Sequence, residues 1–183
     1  DWDAEAGRWG VKLSNGGGLS VRPCNLAVLS RGDECPPSVC AVVKLSMGAI
    51  RESKDGDGKA AEEAMRRMAL CEITGIPLEL LGSEERQAVK LLTQHALVTK
   101  DDKGLVAMHA LTQRAVRSLT DTAERGPLVA AVAGALRAKL LKFDANKPAT
   151  YFIGRRFAAH ARAVVAQAGA WGLLGDGPGR GGG

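Results

Sequence analysis

Aromatic residues are scarce: Trp2, Trp9, Phe143, Tyr151, Phe152, Phe157 and Trp171 are the full set, and none falls in the middle of the chain. The core must therefore come from Leu, Val, Ala and Met, as in helix packing. No apolar stretch approaches the roughly 20 residues that cross a bilayer, and the acidic start DWDAEAGRWG lacks the charged-then-apolar layout of a signal peptide. A cytoplasmic chain without a membrane partner is expected. Cys24, Cys35, Cys40 and Cys71 include no C-x-x-C pair and have no histidine close by, which argues against zinc and against a redox motif. A Cys35–Cys40 disulfide is conceivable but disfavoured inside a cell, and Cys71 is expected as a buried thiol on a helix.

Catalytic signatures are missing as well. The chain has no G-x-x-x-x-G-K-[ST] loop, whose backbone amides and lysine would cradle phosphates, so no ATP hydrolysis is expected of it. SNGGGLS carries no following lysine and is read as linker. No nucleophile elbow occurs, and His95 and His160 have no partner at metal-ligand spacing. In SKDGDGKAAEEA, Asp55, Asp57 and Gly58 fit calcium-loop positions 3, 5 and 6, but Ala64 stands where the bidentate glutamate belongs. A solvated turn before a helix is the expectation there. The chain is read as non-enzymatic, with no metal site and no cofactor of its own.

What is present is helical patterning over a length of 183 residues, enough for one ordinary domain or for a small domain plus part of another. Residues 1–41, with Gly16, Gly17, Gly18, Pro23, Pro36 and Pro37, are read as linker or poorly ordered. VVKLSMGAI, from Val42 to Ile50, suits a helix or a strand. In KAAEEAMRRMALC, Ala61, Ala64, Met65, Met68 and Ala69 share one helical face. Gly75 and Pro77 then set a turn, and Leu78 to Leu81 make at most a short helix. Ser83 offers an N-cap to a helix running to about Gln94, with Glu84 and Glu85 in its first turn and Ala88, Leu91 and Leu92 buried.

ALVTKDDKGLVAMH reads as a β-hairpin, with Gly104 supplying the positive φ. Leu111, Ala115, Val116 and Leu119 share a face of the following helix. Helix, short helix, helix, hairpin is the order of a winged helix-turn-helix. Two further helices are expected, Pro127–Lys142 and Tyr151–Ala168, the second with a stripe of Phe157, Ala161, Val164, Val165 and Ala168. Such Ala-rich pairs occur in bundles and helical repeats. The expected fold is mainly α: a winged helix over 42–122, a repeat-type helical segment over 126–170 and a disordered tail over 171–183.

The stretches MALCEITGIPLELL, LLTQHALVTKDDKGLVAMHALTQRAVRSL and FDANKPATYFIGRRFAAHARAVVAQAG resemble the region that follows the nucleotide-binding module of NB-ARC-type STAND signalling ATPases. In that family a winged helix links the ATPase core to tetratricopeptide or similar repeats. The resemblance spans roughly Val42 to Ala168 and is most specific at Met108-His109 with Leu111, Gln113, Val116 and Arg117. It implies a switch that holds ADP at rest and exchanges it for ATP on activation. Its implied partners are the ATPase core and repeats of one longer parent chain, together with other proteins. It also implies that His109, beside Met108, touches the ADP phosphate. Position 110 is Ala, whereas the plant-type motif places Asp there. Physically, an imidazole at a helix start sits among unsatisfied N–H groups that suit an anion. Equally, it serves as a helix-start residue bonded to the backbone.

Winged helices commonly read DNA, so charge decides between readings. Glu84, Glu85, Arg86 and Lys90 cancel on the helix that would enter the groove, and Lys100, Asp101, Asp102 and Lys103 cancel on the wing. DNA is therefore not the expected partner. The net charge of +5 collects towards the C-terminus, from Arg114 and Arg117 to Arg156 and Arg162. That face is either solvated or docks an acidic partner. The alternatives to a regulatory module are a stand-alone winged-helix nucleic-acid binder and a helical interaction fragment. Because the chain starts at Asp1 and ends in GDGPGRGGG, it is expected to be a piece of something longer.

Overall fold

The computed structural model describes residues 35–52, 58–82 and 86–174 with their side chains, and the backbone of 2–3, 8–12, 18–21 and 85. Six α-helices dominate the described residues, so the protein is mainly α. In the first 41 residues, where linker was expected, β1 (Trp2–Asp3), β2 (Arg8–Lys12) and β3 (Gly18–Val21) pair as an antiparallel meander. Helix α1 (Pro37–Arg51) also starts ahead of the expected Val42. Pro37 supplies the preset φ of a first helical position, where its missing N–H costs nothing.

Helix α2 (Gly58–Met68) buries the face read from its spacing, Ala61, Ala64, Met65 and Met68. Gly58 lies against the backbone of Ile50 and Arg51, and a Cβ there would collide with the Ile50 carbonyl oxygen. Close packing of α2 on the end of α1 thus requires glycine at a position also noticed for its calcium-loop register. Residues 53–57 of that register lie outside the described residues. A 3-10 turn, Leu78–Leu80, leads to α3 (Glu85–Gln94), which buries Ala88, Val89, Leu91 and Leu92. The expected N-cap Ser83 and its neighbour Glu84 lie outside the described residues.

The hairpin strands are short, β4 (Thr99–Lys100) and β5 (Val106–Ala107), and Gly104 takes φ +79° in the turn. Ile76 adds a further antiparallel bridge to Val106, with N–H to O distances of 2.8 and 3.0 Å. Helix α4 (Ala110–Leu119) follows at once. After Thr120 and Asp121 comes α5 (Thr122–Leu140), which contains Pro127 rather than starting there. The carbonyl that Pro127 cannot serve belongs to Ala123, an exposed residue. A second 3-10 turn, Pro148–Thr150, opens α6 (Tyr151–Ala170). On α6 the buried face is Phe157, His160, Val164 and Ala168, whereas Val165, expected in the stripe, is exposed. A spacing of one residue rotates a helical position by about 100°, which carries Val165 off the face that holds Val164.

The core is aliphatic as composition requires: Ile50, Met65, Met68, Leu70, Ile76, Leu80, Leu92, Met108, Val116 and Val132 are among its most enclosed side chains. It continues without a break into Leu128, Leu136, Phe157 and Val164 of the last two helices. An ion cluster centred on buried Glu62 ties three helices outside this core. Arg51 of α1 donates to both Glu62 carboxylate oxygens at 2.8 and 2.6 Å, and Arg66 bridges Glu62 to Glu124 of α5 at 2.8 and 2.6 Å. The Arg51 hydrogen bond holds the Glu62 carboxyl below its usual range, against the opposing effect of burial. No helix among the described residues is long and apolar enough to cross a membrane.

Candidate functional site

His109 stands where β5 hands over to α4. Its backbone is extended (φ −60°, ψ 141°), so it is the N-cap of α4, and its Nδ1 accepts the Leu111 N–H at 3.2 Å. That bond satisfies one of the orphan donors of the first turn. An accepting Nδ1 places the proton of the neutral ring on Nε2. The exposed imidazole thus presents a donor beyond the cap. Of the two roles open from sequence, the structure realises the backbone bond in this chain, and the tautomer it selects remains compatible with an anion on the other nitrogen.

Met108 fills a different role. It is 1% exposed, and its N–H donates to the Ile73 carbonyl at 3.0 Å, which fixes the junction from behind. Both residues line an apolar groove of about 360 Å³ whose other walls include Ile73, Ala96, Val98 and Thr112. Its outer lip carries the exposed Ile73.

Ala96 closes the end of α3 in the left-handed conformation, φ +54°, the one non-glycine residue among those described to do so. The Leu97 N–H reaches the Leu92 carbonyl at 3.1 Å and the Ala96 N–H reaches Thr93 at 3.0 Å, the two bonds of a Schellman ending. Glycine is the usual residue here, so HAL in the sequence offered no C-cap signal. The ending turns the chain sharply enough to set Ala96, Leu97 and Val98 against the groove.

Gln113 and Arg117, which carried much of the resemblance, act elsewhere. Buried Gln113 donates from Nε2 to the Met68 and Cys71 carbonyls at 3.0 and 3.2 Å, and Arg117 donates to Ala69 at 2.7 Å. The Met68 carbonyl also accepts the Cys71 N–H at 3.0 Å, so Gln113 adds a second donor there while it and Arg117 serve the Cys71 and Ala69 carbonyls just past the end of α2, and α4 braces that end from the side. Cys71, in the same turn, is buried and its thiol is pushed up to about 12 by burial, which leaves it unreactive. Cys35 and Cys40 are free thiols.

His160 forms a clasp that spacing did not reveal. The ring is 3% exposed, accepts the Glu72 N–H on Nδ1 at 3.2 Å and meets the Gly75 carbonyl through Nε2 at 3.1 Å. An accepting Nδ1 makes Nε2 the donor to Gly75. Next to it Arg156 pairs with Glu79 at 3.0 Å. Helix α6 is thereby fastened to the turn that precedes the first 3-10 element, on the side of the chain that leads to Met108. Burial pushes the His160 imidazole below its ordinary value, with Arg156 acting the same way and the Gly75 bond and Glu72 opposing. His95 is exposed at the end of α3. Among the described residues no cluster of three His, Cys, Asp or Glu is placed to hold a metal.

Compared with models of protein families, with curated protein sequences and with solved structures, the chain matches none.

Proposed function

We propose that the chain is a non-catalytic regulatory module: a winged helix, α1 to α4 with the β4–β5 wing, continued by the first helical pair of a repeat sensor, α5 and α6. In this reading it belongs to an NB-ARC or STAND-type signalling ATPase and couples the ADP/ATP state of that core to the repeats. The observation that carries it is the junction at His109. An exposed imidazole caps α4 with one nitrogen and offers a donor on the other, at the lip of a groove and on a backbone pinned by buried Met108. Such a group suits the terminal phosphate of a nucleotide presented by a neighbouring domain. Supporting the same reading, α6 and α4 grip the turns around α2 through His160, Gln113 and Arg117, so a displacement of the helical pair is felt at the segment Ile73–Ile76 that holds Met108 and β5.

The test begins with the full-length transcript, which should encode a phosphate-loop ATPase in frame ahead of Asp1. In that protein His109→Ala should shorten ADP retention and raise basal activity, because a contact of the resting state is lost. An ATPase core whose ADP release is unaltered by His109→Ala would remove His109 from the switch. A transcript without such a core would remove the reading altogether.

A further inference from the structure

Arg51, Arg66, Arg67 and Arg156 each have a carboxylate partner. Arg114 and Arg125 have none among the described residues, although they share one pocket. That pocket, about 450 Å³, lies where three helices converge: Arg114, Arg117 and Ser118 come from α4, Arg125 from α5, and Gln167 and Trp171 from the end of α6. The remaining wall is alanine, and among the described residues no aspartate or glutamate lines it. The acids nearest in sequence do not compensate: Glu124 is turned to Arg66 at 2.6 Å, and Asp121 forms no ion pair among the described residues.

The guanidinium of Arg125 is held in place before any ligand arrives. Its Nε donates to the Thr120 carbonyl at 3.3 Å, and its central carbon sits 5.1 Å from the centroid of the Trp171 ring. A stacked, anchored fork has already lost most of its rotamer freedom, so little more is lost on binding an oxyanion. Arg117 is likewise tethered through Ala69. Arg114 and Arg125 bring two like charges into one half-enclosed space, and a multivalent anion is attracted to both. Planar guanidinium groups, a hydroxyl and an amide together match the oxygens of a phosphate, and the volume falls within the range of small-molecule sites, about 300–1,000 Å³.

We propose that the Arg114–Arg117–Arg125 pocket binds a phosphate-bearing anion, either a soluble phosphate ester or the headgroup of a phosphomonoester lipid. The site is separate from His109 and does not depend on the function proposed above. Occupancy would cross-link α4, α5 and α6, the three elements on which the relation of the hairpin-bearing half to the helical pair rests.

The test uses the full 183-residue chain with Trp2→Phe and Trp9→Phe, which leaves Trp171 as the only tryptophan. Sodium pyrophosphate is titrated at fixed ionic strength, followed by Trp171 fluorescence and by isothermal titration calorimetry. Saturable binding is expected. Arg114→Gln removes no hydrogen bond of the free protein and should weaken binding about tenfold or more, the value of one charged hydrogen-bonding group. Arg137→Gln, on the same helix as Arg125 but outside the pocket, should leave it unchanged. Absence of saturable heat and fluorescence change, or equal loss in both variants, overturns the proposal. Sedimentation with phosphatidylcholine vesicles containing phosphatidic acid distinguishes the sources. Vesicle binding that Arg114→Gln abolishes assigns the headgroup, and pyrophosphate binding without vesicle binding assigns a soluble ester.

Discussion

His160→Leu removes the clasp between α6 and the turn at Glu72–Gly75 while keeping an apolar side chain of similar bulk in a site only 3% exposed. Two hydrogen bonds disappear, to the Glu72 N–H at 3.2 Å and to the Gly75 carbonyl at 3.1 Å. At about 1 kcal/mol net for each bond, the loss is about 2 kcal/mol near neutral pH. Part of Gly75 stays wet, which keeps the cost from reaching the full penalty of two buried orphan groups. With a urea slope of about 2 kcal/mol/M, the midpoint should fall by about 1 M. The same histidine adds a pH dependence of known sign. Its folded value lies below the ordinary 6.5, because burial disfavours the imidazolium. The unfolded chain therefore binds the proton first as pH falls below about 6.5. The stability that neutral His160 supplies is complete above that pH and is lost as pH drops towards the depressed folded value. Protonation also takes away the lone pair that accepts from Glu72. Urea unfolding of wild type and His160→Leu between about pH 8 and 5, the range around the imidazole titration, should show the gap between the two proteins narrowing as the pH falls. A variant within about 0.5 kcal/mol of wild type at neutral pH, or a gap that stays constant with pH, would refute the clasp.

Three further outcomes rest on other parts of the fold. Ala96→Gly should stabilise by about 1 kcal/mol, because glycine adopts φ +54° without the penalty of a Cβ; a lower urea midpoint would show that the methyl group packs usefully. Gln113→Leu takes the donor from the Cys71 carbonyl and the second donor from Met68, which keeps the Cys71 N–H, and should cost about 1–2 kcal/mol by thermal melting, with a melting point unchanged within error counting against side-on bracing by α4. Leu92→Asp puts a carboxylate at a position with 0% exposure and should abolish cooperative unfolding by circular dichroism, since an unpaired charge has no partner there. A native-like melt in that variant would mean that α3 presents a different face.

Local chemistry was legible where a segment's pattern alone decides its conformation. Gly104 in its turn, the apolar stripe of α2 and the aliphatic character of the core follow from spacing and composition, because these depend on residues three or four apart or on the whole inventory of side chains. Adjacent prolines at 36 and 37 resemble linker, yet Pro37 opens α1, and Pro127 carries a helix-start signal although α5 begins five residues earlier. Both differences concern proline, whose missing N–H is harmless in a first turn and also tolerable deeper in a helix when the orphaned carbonyl faces water. The N-cap role of His109 was one of two roles open in the sequence, and local backbone geometry supports it directly.

Tertiary structure decided everything that joins residues far apart in the chain. His160 has no partner at metal-ligand spacing, and its clasp is invisible in one dimension because its partners, Glu72 and Gly75, lie more than eighty residues away. Gln113 and Arg117 read as a motif, and only folding shows them closing the end of α2. The basic residues towards the C-terminus looked like a solvated face in one dimension, and convergence of α4, α5 and α6 gathers Arg114, Arg117 and Arg125 into one pocket with Trp171. The sequence by itself determined that the segments of α2 to α6 are helical and what the core is made of, since periodicity and side-chain type act within a few residues, whereas Val42–Ile50 stayed open between helix and strand. Which polar groups meet was set by packing, because an unsatisfied buried carbonyl or an unpaired guanidinium takes whatever partner the fold brings within about 3 Å.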